Sequence, residues 1–124
     1  MRMCSIASGS SGNCIYVGTE ATNLLVDVGI SCKRIVAGLN QIGLAAKDID
    51  GILITHEHSD HISGLGVMCR KFGIPIYATS GTISAIKKVS NLGELDDSLF
   101  RVVKADEKFI LKDITVNPMK ISHD

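Results

Sequence analysis

Three of the chain's four histidines fall within six residues, as His56, His58 and His61, and Asp60 stands beside the last of them. The pattern is His-x-His-x-Asp-His. Imidazole nitrogens and carboxylate oxygens suit Zn²⁺ and similar divalent ions. In extended chain, side chains two residues apart project to one side, so His56 and His58 can grip a single ion. A turn after them makes Asp60 and His61 face a second position. Two ions roughly 3.5–4 Å apart can share a hydroxide, lower its pKa and stabilise a leaving oxygen. The expected cofactor is therefore a pair of divalent ions, Zn²⁺ first and Mn²⁺ as the alternative. A His-rich surface loop is the plainer reading, but three imidazoles and a carboxylate packed together call for a cation. A purely structural zinc site would normally have four ligands and be rich in Cys. Glu57 and Ser59 occupy the intervening positions and carry no assigned chemistry. Thr55 reads either as a hydroxyl that orients the loop or as an ordinary β-branched strand residue.

The cluster sits where an apolar strand gives way to a helix. Ile52-Leu53-Ile54 is a continuous apolar run, the pattern of a strand buried on both faces. Leu65, Met68, Cys69 and Phe72 then recur at helical spacing up to Gly73. Sites in α/β folds collect at the carboxyl ends of strands, which is where this loop stands. Upstream, Met3–Ala7, Cys14–Val17 and the run from Asn23 to Val28 read as strands, the last two joined as a hairpin across 18–22. Ser31 can cap a helix through Ile35, Val36, Leu39 and Ile42, stopped by Gly43. Downstream, Pro75–Tyr77 reads as a strand and Ser80 opens a helix through Ile83, Ile86 and Val89. The stretch 91–98 reads as loop. Phe109–Leu111 and Ile114–Val116 form a second hairpin about Lys112-Asp113. The order is that of an α/β layered fold. Leu24–Val28, Ile52–Ile54 and Ile114–Val116 are expected to share one sheet.

Composition narrows the chemistry further. The 124 residues carry 13 basic and 13 acidic side chains, which excludes the bulk electrostatics of a polybasic nucleic-acid binder. It leaves open a nuclease whose positive charge arrives with bound metal. There is no Trp, with two Tyr and three Phe, too few for a stacking platform along single-stranded nucleic acid. No apolar run reaches the ~18 residues of a membrane span, so no membrane association is expected. No secretory leader is read at the start, and Cys4, Cys14, Cys32 and Cys69 include no Cys-x-x-Cys. Reduced thiols and a cytoplasmic location are the expectation.

The segment Thr55-His56-Glu57-His58-Ser59-Asp60-His61-Ile62-Ser63-Gly64 resembles the second motif of the metallo-β-lactamase superfamily. Leu24-Leu25-Val26-Asp27-Val28-Gly29 resembles its first motif, and Ile121-Ser122-His123-Asp124 its third. The finer resemblance is to the YycJ/WalJ-like subgroup, which is similar to DNA exonucleases. It rests on Ala7-Ser8-Gly9-Ser10-Ser11-Gly12-Asn13, on the run from Gly51 to His61, on Gly64-Leu65-Gly66-Val67 and on Ser122-His123-Asp124. The resemblance implies that His56, His58 and His123 hold one ion and that Asp60 and His61 hold the other. Asp60 would also orient the attacking hydroxide, as the catalytic carboxylate. Asp27 would support the loop by hydrogen bonds without being a ligand. The loop Ser10, Ser11, Gly12 and Asn13 reads equally as a nest for a phosphate anion or as a turn without a ligand.

The implied fold is an αββα sandwich, of which residues 1–124 would supply the N-terminal βα half. A bridging aspartate and a last histidine would then come from the other half. The implied activity is a two-metal phosphodiesterase, a 5′–3′ DNA exonuclease. A ribonuclease Z-like or thioester hydrolase, or a metal-binding half without turnover, are the alternatives. A half sandwich would leave one apolar sheet face open, through which copies of the chain could associate.

Overall fold

The computed structural model describes residues 1–9 and 12–118. Ser10, Ser11 and His123, three of the expected site residues, lie outside them. The chain opens with strands β1 (Arg2–Ala7), β2 (Cys14–Gly18) and β3 (Asn23–Val26), followed by helix α1 (Cys32–Gln41). Ser31 caps α1 as its sequence predicts, its hydroxyl accepting from the Arg34 N–H. Strand β4 (Gly51–Leu53) leads through the histidine loop into the single-turn helix α2 (Ser59–Ile62) and then α3 (Leu65–Phe72). Next come β5 (Ile76–Ala78), α4 (Ser80–Lys87), β6 (Phe100–Val102), β7 (Phe109–Leu111) and β8 (Ile114–Val116).

Six strands form one mixed sheet in sequence order, β1 to β6. The first two pairings are antiparallel, and β3, β4, β5 and β6 run parallel. Alternation along the strands gives the sheet two apolar faces. Leu25, Ile52 and Ile76 pack with Ile35 and Leu39 of α1, Leu65 and Met68 of α3, and Ile83 and Ile86 of α4 in the main core. Leu24, on the other face, packs with Leu111 and Ile114 of the β7–β8 hairpin, and Leu53 and Tyr77 flank that smaller cluster.

Three expectations change on contact with the structure. Ile114–Val116 does not join the sheet of β3 and β4; among the described residues it pairs with β7, in a separate two-stranded sheet. The short apolar runs are compatible with either arrangement, and packing on Leu24 decides it. The strand read up to Val28 ends at Val26, because Asp27 takes a left-handed φ of 63°. Strand β6 is an element that the sequence pattern does not reveal. Three residues with one half-buried Phe carry no periodicity to detect, and their pairing with β5 makes the strand. The face expected to stand open is thus partly covered by the chain's own hairpin.

Candidate metal centre

The histidine loop is anchored from below by Asp27, which follows the end of β3. The Asp27 residue is 5% exposed. Oδ1 accepts from the Thr55 backbone N–H at 2.8 Å, and Oδ2 accepts from the Thr55 hydroxyl at 2.6 Å. Oδ2 also lies 2.7 Å from His61 Nδ1. A left-handed backbone at a non-glycine residue is sparsely populated, and three side-chain hydrogen bonds hold Asp27 in it.

This arrangement sets tautomers. An ionised Asp27 only accepts, so His61 Nδ1 carries a proton, and in the neutral ring the lone pair is then on Nε2. The Thr55 hydroxyl donates to Asp27 and is 3.0 Å from His56 Nδ1, from which its oxygen can accept. His56 Nε2 is then a lone pair as well. The Thr55 hydroxyl therefore orients the loop, the first of its two sequence readings. His61 Nε2 faces Asp60 Oδ2 at 3.5 Å. Two acceptors in that position repel unless a proton or a cation stands with them.

Asn13 ties the loop to the strand layer from another side. Its backbone N–H donates to the Asp60 carbonyl at 2.8 Å. Its side-chain Nδ2 lies 3.2 Å from the same carbonyl and 3.4 Å from Asp60 Oδ2. Two glycines let the backbones approach this closely. A Cβ on Gly29 would fall 1.8 Å from the Asp60 carbonyl oxygen, and one on Gly64 would fall 2.1 Å from the Ile30 carbonyl oxygen. Two further backbone bonds, from Val28 to the His61 carbonyl and from Gly64 to the Val28 carbonyl, are each 2.8 Å. The Gly9 N–H donates to Asn13 Oδ1, and the Gly12 N–H donates to the Gly9 carbonyl. Gly12 and Asn13, read as half of an anion nest, thus already have their N–H groups engaged within the protein.

His58 is the N-cap residue of α2, and its ring lies 6.1 Å from that of His56 at an interplanar angle of 27°. The His56 and His61 rings are 4.8 Å apart. His56, His61 and Asp60 are therefore neighbours, with His58 beside His56. Among the described residues, no three His, Cys, Asp or Glu side chains close on one point at metal-holding geometry. The donor types nonetheless suit a divalent cation: two imidazoles and a carboxylate are neighbours, and hydrogen bonds from Asp27 and Thr55 hold the imidazoles from behind. The thiols do not compete. Burial pushes Cys14 up to about 12, with the Asp27 carboxylate adding to it, and burial does the same to Cys69. Neither is a thiolate at neutral pH.

The inward role of Asn13 is what sequence reasoning missed. The available signal was a lone amide between buried Gly12 and buried Cys14, where a polar group needs internal partners.

Comparison with known proteins follows the same lines. The family profile described as Metallo-beta-lactamase superfamily matches residues 7–102. The chain is 43% identical over 119 residues to Exodeoxyribonuclease WalJ of Streptococcus pneumoniae serotype 2, covering 96% of this chain and 44% of that protein. It is 42% identical over 127 residues to Exodeoxyribonuclease YycJ of Bacillus anthracis, with the same coverage of each. The chain thus spans less than half the length of these curated relatives. Among solved structures, a B3 metallo-β-lactamase with an active-site glutamic acid superposes with a TM-score of 0.76 at 18% identity, over 93% of this chain and 47% of that one. BJP-1, a subclass B3 enzyme of Bradyrhizobium japonicum, gives 0.69 at 23% identity, over 85% and 44%. These two likenesses speak for the fold alone. From the profile match across most of its length, the chain belongs to the metallo-β-lactamase superfamily.

Proposed function

We propose that these residues form the first metal-holding segment of a divalent-metal-dependent phosphodiesterase, a 5′–3′ DNA exonuclease acting in the cytoplasm. One observation carries the metal reading: His61 Nε2 and Asp60 Oδ2 face each other at 3.5 Å while Asp27 holds the far side of the His61 ring. The exonuclease names of the 42–43% identical relatives favour DNA as the substrate class. In this reading His56, His58 and His123 hold one ion, and Asp60 and His61 hold the second. Bound Zn²⁺ or Mn²⁺ supplies charge stabilisation at a phosphoryl oxygen and water that ionises near neutral pH. Asp60 orients that water, and Asp27 and Thr55 fix the imidazoles so that no reorganisation is needed. Residues 1–124 act as the N-terminal half of a metallo-β-lactamase domain. Self-association would use what the β7–β8 hairpin leaves open of the second sheet face, and sedimentation equilibrium measures it. Among the described residues no helix is long and apolar enough to cross a membrane.

A second reading is a metal-binding half without turnover of its own. It draws on the incomplete closure of the described donors. Hydrolysis of 5′-labelled DNA with Mn²⁺ or Zn²⁺ separates the two. His58→Ala should abolish that hydrolysis and leave the melting temperature nearly unchanged, since an exposed cap residue removes no core contact. A collapse of the melting temperature with turnover intact would show His58 to be structural.

A further inference from the structure

We propose that Asn13 is a positioning residue for Asp60, holding its carboxylate in the orientation that a metal ion requires; this rests on the reading of Asp60 as a metal ligand. The Asp60 carboxylate stands between two nitrogens, Asn13 Nδ2 at 3.4 Å and His61 Nε2 at 3.5 Å. The first can only donate, whatever proton His61 Nε2 carries. Asn13 is thereby the group that restrains the carboxylate without itself repelling it.

The amide is held in turn. Its Oδ1 accepts from the Gly9 N–H at 3.3 Å, and Nδ2 lies 3.2 Å from the Gly9 carbonyl and 3.2 Å from the Asp60 carbonyl. An Asp at this position would only accept, and would set a second negative charge against Asp60. A Ser would be too short to span from the loop turn to the Asp60 side chain. The neutral amide, with a donor end and an acceptor end, meets both demands. Partners behind a metal ligand typically change metal affinity by about 10–100-fold when removed.

The test is titration of Zn²⁺ alone, and separately Mn²⁺ alone, into the metal-stripped full chain against a competing chelator. Asn13→Ala should weaken binding by about 10–100-fold. Asn13→Leu, with the same branched skeleton but no donor, should weaken it equally. In an Asp60→Ala background the same Asn13 substitutions should change affinity by less than about twofold, because the residue acts through Asp60. Equal losses in both backgrounds would mean that Asn13 merely braces the loop, and the proposal would fall. So would unaltered affinity in a variant of a chain that binds metal, with the metal reading left standing. A wild-type chain that takes up neither ion overturns the metal reading and this one with it. Failure of both Asn13 variants to fold also counts against the proposal, since a positioning amide leaves the fold in place.

Discussion

Two aspartates in this fold do the same local chemistry at opposite ends of β3. Asp27, just past its carboxyl end, accepts from the Thr55 N–H and hydroxyl and bonds His61. Asp113, in the β7–β8 turn, meets the other end of β3, accepting from the Thr22 hydroxyl and from the Thr19 hydroxyl at 2.8 Å. Both are carboxylates gripped by threonine, yet their surroundings differ. Asp27 is buried, so without these partners its own oxygens would be stranded away from water. Asp113 is exposed, and water stands ready to replace at least one of its partners. The buried clamp orients Thr55 and His61 of the histidine loop, whereas the exposed clamp pins a hairpin. The same bond is worth more where its loss cannot be repaired by solvent.

The comparison breaks most severely at Gly29. A methyl there would stand 1.8 Å from the Asp60 carbonyl oxygen, and backbone on both sides cannot yield like a side chain. Gly29→Ala should cost about 3 kcal/mol or more, at the upper end of overpacking effects. Urea denaturation measures it, and a loss below about 1 kcal/mol would mean that the loop slides easily past β3.

Asp27→Asn sharpens the comparison next. The amide can still accept from the Thr55 N–H, but its NH₂ end meets His61 Nδ1 and the Thr55 hydroxyl. His61 must then accept at Nδ1 and carry its proton on Nε2, so the outward lone pair is gone. Stability should fall by about 1–2 kcal/mol from mismatched buried hydrogen bonds. On the proposed reading of the loop as a metal site, Zn²⁺ affinity should fall by about 10–100-fold. Nitrogen chemical shifts of His61 report the tautomer directly. A ring that keeps its proton on Nδ1 would show that Asp27 does not govern it.

The same contrast explains what could be read in the sequence. The histidine cluster was legible because three His and an Asp in six residues have a chemical reason to be together. The main strands and helices were legible because Ile52–Ile54 and the Leu65–Phe72 spacing carry strong periodic signals. Asp27 was legible as a support only through its family resemblance; nothing local announces that an Asp after Val26 will turn left-handed and reach a loop 28 residues away. The Asn13 contact to Asp60 spans 47 residues and depends on two glycine approaches, so no window of sequence contains it. The hairpin was found as a hairpin but assigned to the wrong sheet. Its position is set by Leu111 and Ile114 meeting Leu24, a contact between segments far apart in the chain.

The smallest expected effect lies at the exposed clamp and is a matter of pH. The Thr22 hydroxyl first, and the Thr19 hydroxyl second, hold the Asp113 carboxyl below its usual range. A carboxylate whose folded pKa is depressed binds its proton more readily in the unfolded chain. Its contribution to stability is therefore complete above the ordinary aspartate value of about 3.9 and is lost as pH falls through the lower folded value. Asp113→Asn should flatten that part of the acid limb while leaving the region from about pH 5 to 8 almost parallel to wild type. The effect must be taken as a difference between the two proteins, because Asp96 is also depressed, by Ser98, and contributes to the same limb. Asp113 is solvated, so the difference should be minor beside that of Asp27→Asn, and metal affinity should not change. Urea denaturation of both proteins between pH 2 and 6 measures it. A stability advantage of wild type that shrinks as pH rises from about 2 to 5 would reverse the sign and show that Asp113 destabilises the hairpin it pins.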